Sequence, residues 1–184
     1  PWSRLPELLS GGIVGDALRL SLLTSLAATA ISTIIGVPLA WVLARVEFRG
    51  RAVVRGLVLL PLVLPPVVGG AALLFALGRR GIVGGPLTEL TGIVLPFSTW
   101  GAVLAATFVA MPFLVITVEG ALHNLDRRFE GAASTLGAGR WRVFFRVTLP
   151  MILPSLAAGL ALTWARALGE FGATITFAGN LQGR

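Results

Sequence analysis

Four long apolar stretches, separated by polar ones rich in arginine, set the pattern of this chain. They run from about 20 to 43, 56 to 77, 100 to 118 and 151 to 171. At 1.5 Å per residue, each helix so formed crosses a hydrocarbon core of roughly 30 Å. The first three carry no charge at all, and the fourth carries only Arg166 and Glu170. Runs of this length with almost no charge are membrane spans. The expected fold class is all-α, a polytopic transmembrane helical bundle with four spans.

The polar segments set the topology. Residues 45–55 carry Arg45, Arg49, Arg51 and Arg55, and residues 119–150 carry Arg127, Arg128, Arg140, Arg142 and Arg146. In a four-span chain both fall on one side, and the positive-inside rule makes that side cytoplasmic. The other side holds Arg4, Arg19, Arg79, Arg80 and Arg184, of which the Arg79–Arg80 pair runs against the bias. Residues 81–98, broken by Gly and Pro, predict a short re-entrant or surface segment on the external side. Residues 1–19 read as an external interfacial lead-in, with Trp2 and Leu5 as headgroup anchors. They lack the pattern of a secretory signal. Residues 20–172 form the transmembrane core, and 173–184 an external or outer-leaflet tail.

Composition agrees. The mean hydropathy is +0.88 and 12% of residues are charged, against roughly 25% in soluble domains. The net charge of +7 comes entirely from Arg, and its placement between apolar runs points to membrane loops rather than to nucleic acid. With no Cys and a single His, His123, neither a disulfide framework nor a Cys/His metal site can form. His123 sits at a span boundary, where a surface role suits it.

Two features inside the spans invite a functional reading. The second stretch contains Pro61, Pro65 and Pro66, then Gly69 and Gly70. Each proline removes a backbone donor and crowds the preceding turn, which membranes tolerate where neighbours or a wet path satisfy the freed carbonyls. The span is therefore either a kinked packing helix or the lining of a pathway. Arg166 and Glu170 lie four residues apart on one face of the fourth stretch. At that depth unpaired charges cost several kcal/mol, so they form either a structural ion pair or a polar gate on an anion path.

The segment 119–150 reads as a docking element. Asp126 is placed to cap a short helix, with Glu130 near its positive end. Gly131, Ala132, Ala133 and Ser134 give a face almost free of side chains, open to close approach by another protein. Gly137 and Gly139 stop the helix. A second, amphipathic piece from Arg140 carries Trp141, Val143, Phe144 and Phe145, and Leu149 and Pro150 are expected to end it at the membrane.

The run Glu130-Gly131-Ala132-Ala133-Ser134-Thr135-Leu136-Gly137, followed after nine residues by Val147-Thr148-Leu149-Pro150, resembles the EAA loop of binding-protein-dependent ABC importer permeases. One position departs: Gly131 stands where the motif has Glu, and Glu130 lies one place earlier. Residues 60–70 and 166–173 resemble the proline-rich second core span and the last core span of molybdate permeases, with tungstate and sulfate permeases nearby. The resemblance covers the chain from about 20 to 184. It implies a type I importer permease core, of which this chain is a piece, in the cytoplasmic (inner) membrane of a prokaryote. It also implies a homodimer in membrane lipid, cytoplasmic ATP-binding subunits and an external substrate-binding protein. The coupling loop would comprise Asp126, Glu130, Gly131, Ala132, Ala133, Gly137, Leu149 and Pro150. The pathway or gate would comprise Pro65, Pro66, Gly69, Arg166 and Glu170.

The chain itself is expected to be neither an enzyme nor a cofactor or metal carrier. A Walker A loop needs Lys at the phosphates, and there is no Lys, so Gly81 to Gly85 is not one. ATP and Mg would belong to the partner ATPase. The expected cargo is an oxyanion, molybdate first, with sulfate, tungstate or another small anion as the alternative. A secondary transporter or a membrane scaffold would need no helix–glycine–helix knob.

Overall fold

The computed structural model describes residues 12–179 and is all-helical over them. The lead-in anchors Trp2 and Leu5, with Arg4 and Arg184, lie outside the described residues. The helices are α1 (Gly12–Arg45), α2 (Arg51–Val63), α3 (Pro66–Leu77), α4 (Gly84–Thr91), α5 (Thr99–Asn124), α6 (Arg127–Thr135), α7 (Arg140–Leu168) and α8 (Gly172–Ala178).

Helices α1, α5 and α7 are long and apolar enough to cross a membrane. The fourth expected span is split. Leu64 and Pro65 take extended backbone between α2 and α3. The reason is local: Pro65 and Pro66 offer no amide to continue the helix, and each biases its predecessor away from helical torsions. Prolines 38, 61, 112 and 154 are instead absorbed within helices.

Helix α5 is the axle. It packs against α1, α2, α3, α7 and α8, and half its length is buried, from Gly101 to Leu122. One apolar cluster joins Leu43, Val58, Leu114, Val118, Leu122 and Ile152 near the Arg-rich end. Another joins Leu73, Ala105, Val109, Ala173 and Phe177. Without an apolar driving force between helices in lipid, close packing at small residues carries more of the association. Gly70 is such a point: a Cβ there would lie 2.8 Å from the Ala173 carbonyl oxygen. The outward faces of α1, α2 and α3 are apolar, with Leu23, Ile34, Leu57, Val63 and Phe75 exposed, as lipid contact or further helices require.

One expectation needs correction. Leu149 and Pro150 do not end the amphipathic piece at Arg140. The helix runs on through Leu168, and at Phe144–Thr148 it widens into a π turn. The Leu149 amide donates to the Phe144 carbonyl, one residue further back than in an α-helix. The wider turn directly precedes Pro150, which has no amide to donate and crowds the turn before it. The described part of the stretch from 173 is largely helical. Residues 172–178 form α8, with Ala173 and Phe177 fully buried. Residues 12–19 belong to α1, so the lead-in is partly helical and continuous with the first span.

Candidate functional site

The knob between α5 and α7 is built as its local sequence dictates. Asp126 accepts from the Arg128 amide at 2.9 Å and caps α6. At the other end Gly137 has φ +82. Its amide donates to the Ser134 carbonyl at 3.0 Å and that of Ala138 to Ala133 at 3.1 Å. This pair of bonds is a Schellman motif, and the left-handed residue it needs is Gly137. Gly131 and Ala132 are exposed and Ala133 half-buried, giving the expected small-residue face. Around it stand exposed apolar side chains, with Leu136 89% and Trp141 77% exposed, and Phe129 and Phe145 more than half. Trp141 stacks on Phe145, which meets Phe144 edge-on.

Ion and polar pairs centred on Glu130, Glu119 and His123 tie this end together. Glu130 accepts from Arg45 at 3.1 Å and from the Thr148 hydroxyl at 2.8 Å. Glu119, on α5, pairs with Arg55 of α2. The His123 ring lies 3.4 Å from the Arg51 guanidinium and contacts the Glu119 carbonyl at 3.0 Å. Sequence reasoning missed Arg45, Arg55, Glu119 and Thr148. Their partners are 85, 64 and 18 residues away along the chain, beyond the reach of helical periodicity. One signal was there: Glu119 is an acid directly after an apolar run, at the entry to an Arg-rich segment, and needs a partner.

The expected pathway residues lie at or near the two helix breaks. Arg166 pairs with Glu170 at 2.5 Å, and the Glu170 side chain is 1% exposed. Helix α7 stops at Leu168, so Glu170 lies in the turn, where it also accepts from the Ala173 amide at 2.7 Å and caps α8. Gly172 faces Pro66 across the gap: a Cβ on Gly172 would stand 2.9 Å from the Pro66 Cβ. Pro65 and Pro66 are exposed at the break, whereas Gly69 is buried against Phe108 of α5. A cavity of about 220 Å³ between α1, α5, α7 and α8 is lined by Glu170, Ser21, Thr24, Ser98, Thr99 and Thr174. A wider one of about 900 Å³, with Arg79 and Trp100 in its wall, shares Ser98 and Thr99 with it. Among the described residues no cluster of His, Cys, Asp or Glu could hold a metal ion.

The family described as binding-protein-dependent transport system inner membrane component matches residues 36–182, which include both helix breaks and the whole knob. The chain is 52% identical to the molybdenum transport system permease protein ModB of Mycobacterium tuberculosis, over 99% of this chain and 69% of that protein. It is 50% identical to ModB of Escherichia coli K12, over 91% of this chain and 73% of that protein. It is 37% identical to the sulfate transport system permease protein CysT of the same strain, over 98% of this chain and 65% of that protein. The fold resembles the crystal structure of a bacterial ABC transporter involved in import of the acidic polysaccharide alginate. The TM-score is 0.60 at 22% identity, over 81% of this chain and 56% of that one. The chain therefore belongs to the family of binding-protein-dependent transport system inner membrane components.

Proposed function

We propose that this chain is the core of the membrane permease of an ATP-driven importer whose cargo is molybdate. The observation that carries the reading is the capped, glycine-stopped knob between α5 and α7. Its small-residue face and exposed Leu136 and Trp141 call for a protein partner, and no described residue covers them. The partner is a cytoplasmic ATPase subunit, which holds the ATP and Mg that this Lys-free chain has no Walker loop to bind. Nine of the fifteen Arg residues flank this end, which accords with a cytoplasmic position. Identity of 50–52% to proteins named for molybdenum, against 37% to one named for sulfate, favours molybdate over sulfate.

The assembly is a homodimer in lipid, with an external binding protein that delivers the oxyanion and confers most of the affinity. The oxyanion crosses when ATP-driven closure of the ATPase pair moves the knobs and the spans rearrange. Pro65, Pro66, Arg166 and Glu170 line or gate that path. Side-by-side helix breaks are where membrane proteins place unsatisfied backbone groups against a wet path, and the two cavities that share Ser98 and Thr99 reach Glu170. The test is affinity purification of the full-length permease from its native membrane. An ATPase should come with it and be lost on Leu136→Asp and Trp141→Asp substitution. A stable permease that purifies alone would contradict the reading.

A further inference from the structure

Helix α6 has nine residues, none of them buried. A helix this short is marginal alone, and its main packing partner is the start of α7, at Arg140–Thr148, rather than the first span. Glu130 supplies what packing does not. A single oxygen, Oε1, accepts from Arg45, the last residue of α1, and from Thr148, in the π turn of α7. Both donors are enclosed: the Arg45 side chain is 9% exposed and Thr148 2%. Arg45 also suits its place, since a cation at a helix C-terminus is favoured by the helix dipole. The wide turn at Phe144–Thr148 is the second sign of a built contact, for π turns gather at functional positions.

We propose that Glu130 is a positioning residue that fastens the docking helix to the first span, so that movement of the knob is passed directly to α1. The proposal rests on the permease reading above. Without Glu130, α6 keeps its packing on the start of α7 and its chain neighbours at Leu125–Asp126 and Gly137–Gly139, and loses its side-chain bond to α1. A partner pulling on α6 would then bend those loops before it moved α1. The Arg45 guanidinium, whose Nε already has no partner, would be left buried and unpaired.

The experiment uses the full permease with its ATPase and binding protein in proteoliposomes. It reads three quantities: ATPase retained on the permease, ATP hydrolysed, and molybdate taken up per ATP. Glu130→Gln should keep the ATPase bound and hydrolysing while uptake per ATP falls about tenfold, as expected when a charge-assisted bond becomes a neutral one. The reciprocal exchange, Arg45→Glu with Glu130→Arg, should restore most of the ratio. Thr148→Val leaves the ion pair intact and should lower the ratio less. If Glu130→Gln does not assemble, Thr148→Val decides the matter alone. An unchanged ratio in Glu130→Gln, or in Thr148→Val when it is the sole variant, would overturn the proposal, as would an exchange that restores nothing. Failure of the unsubstituted permease to retain an ATPase would instead sink the permease reading.

Discussion

Gly172 and Pro66 stand in contact where two helices break, one between α2 and α3 and the other between α7 and α8. The gap admits no more than a hydrogen on Gly172, because a Cβ would come within 2.9 Å of the Pro66 Cβ. Four residues further along both helices, Gly70 and the Ala173–Thr176 turn are equally close. Helix α8 is thus held against α3 by small residues at its start, while Glu170 caps it and pairs with Arg166. The charge pair and the prolines are parts of one junction.

Gly70→Val should loosen that junction. Its side chain would meet the Ala173 carbonyl and the Thr176 Cβ, and overpacking of this kind costs about 1–3 kcal/mol. Thermal unfolding of the detergent-solubilised permease should show a lower midpoint, whereas Gly56→Val, with open space around it, should not. Equal midpoints would contradict the packing described.

Arg166→Ala and Glu170→Ala should each destabilise the protein by about 3 kcal/mol, because each leaves an unpaired intramembrane charge. The double change should cost less than the sum of the two. Glu170→Gln should be milder than Glu170→Ala, since its amide oxygen can still accept from the Ala173 amide. Strictly additive losses in a double-mutant cycle would refute the pairing.

Gly137→Val should uncouple transport from ATP hydrolysis. The backbone at φ +82 suits glycine, and a β-branched residue resists it by roughly 1–2 kcal/mol. No atom lies within 4 Å of the added Cβ, so the whole effect is backbone strain and the spans should stay folded. ATPase pull-down together with vesicle uptake checks it. Normal uptake by the Val variant would mean that the turn does not govern coupling.

Cysteines placed singly at Arg51 and Arg142 should be shielded from an impermeant thiol reagent on intact cells, and one at Glu89 should react. Residues 1–184 contain no native Cys, so none within them competes for the reagent. Strong labelling at Arg51 would reverse the topology.

The features legible in the sequence were those fixed by near neighbours. The apolar runs gave α1, α5 and α7, and the type of end at Asp126 and Gly137 followed from capping chemistry within one turn. Pro65 and Pro66 signalled the disruption, but the residue that packs at the gap, Gly172, lies over a hundred residues away. The same limit hid Arg45–Glu130 and Arg55–Glu119, whose register is set by how separate spans pack. Helix α8 was missed because seven residues after a polar turn are too few for a periodic signal. Glu130 sits one place before the acidic position of the familiar motif, yet the side chain still reaches Arg45 and Thr148.

The most direct test of the permease reading is uptake itself. Proteoliposomes holding the full permease and its ATPase, given the binding protein and radiolabelled molybdate outside, should accumulate label only when ATP is enclosed. Excess unlabelled molybdate should abolish that accumulation, and excess sulfate should leave most of it. Accumulation without ATP would contradict an ATP-driven importer, and loss of label to sulfate as readily as to molybdate would contradict the assigned cargo.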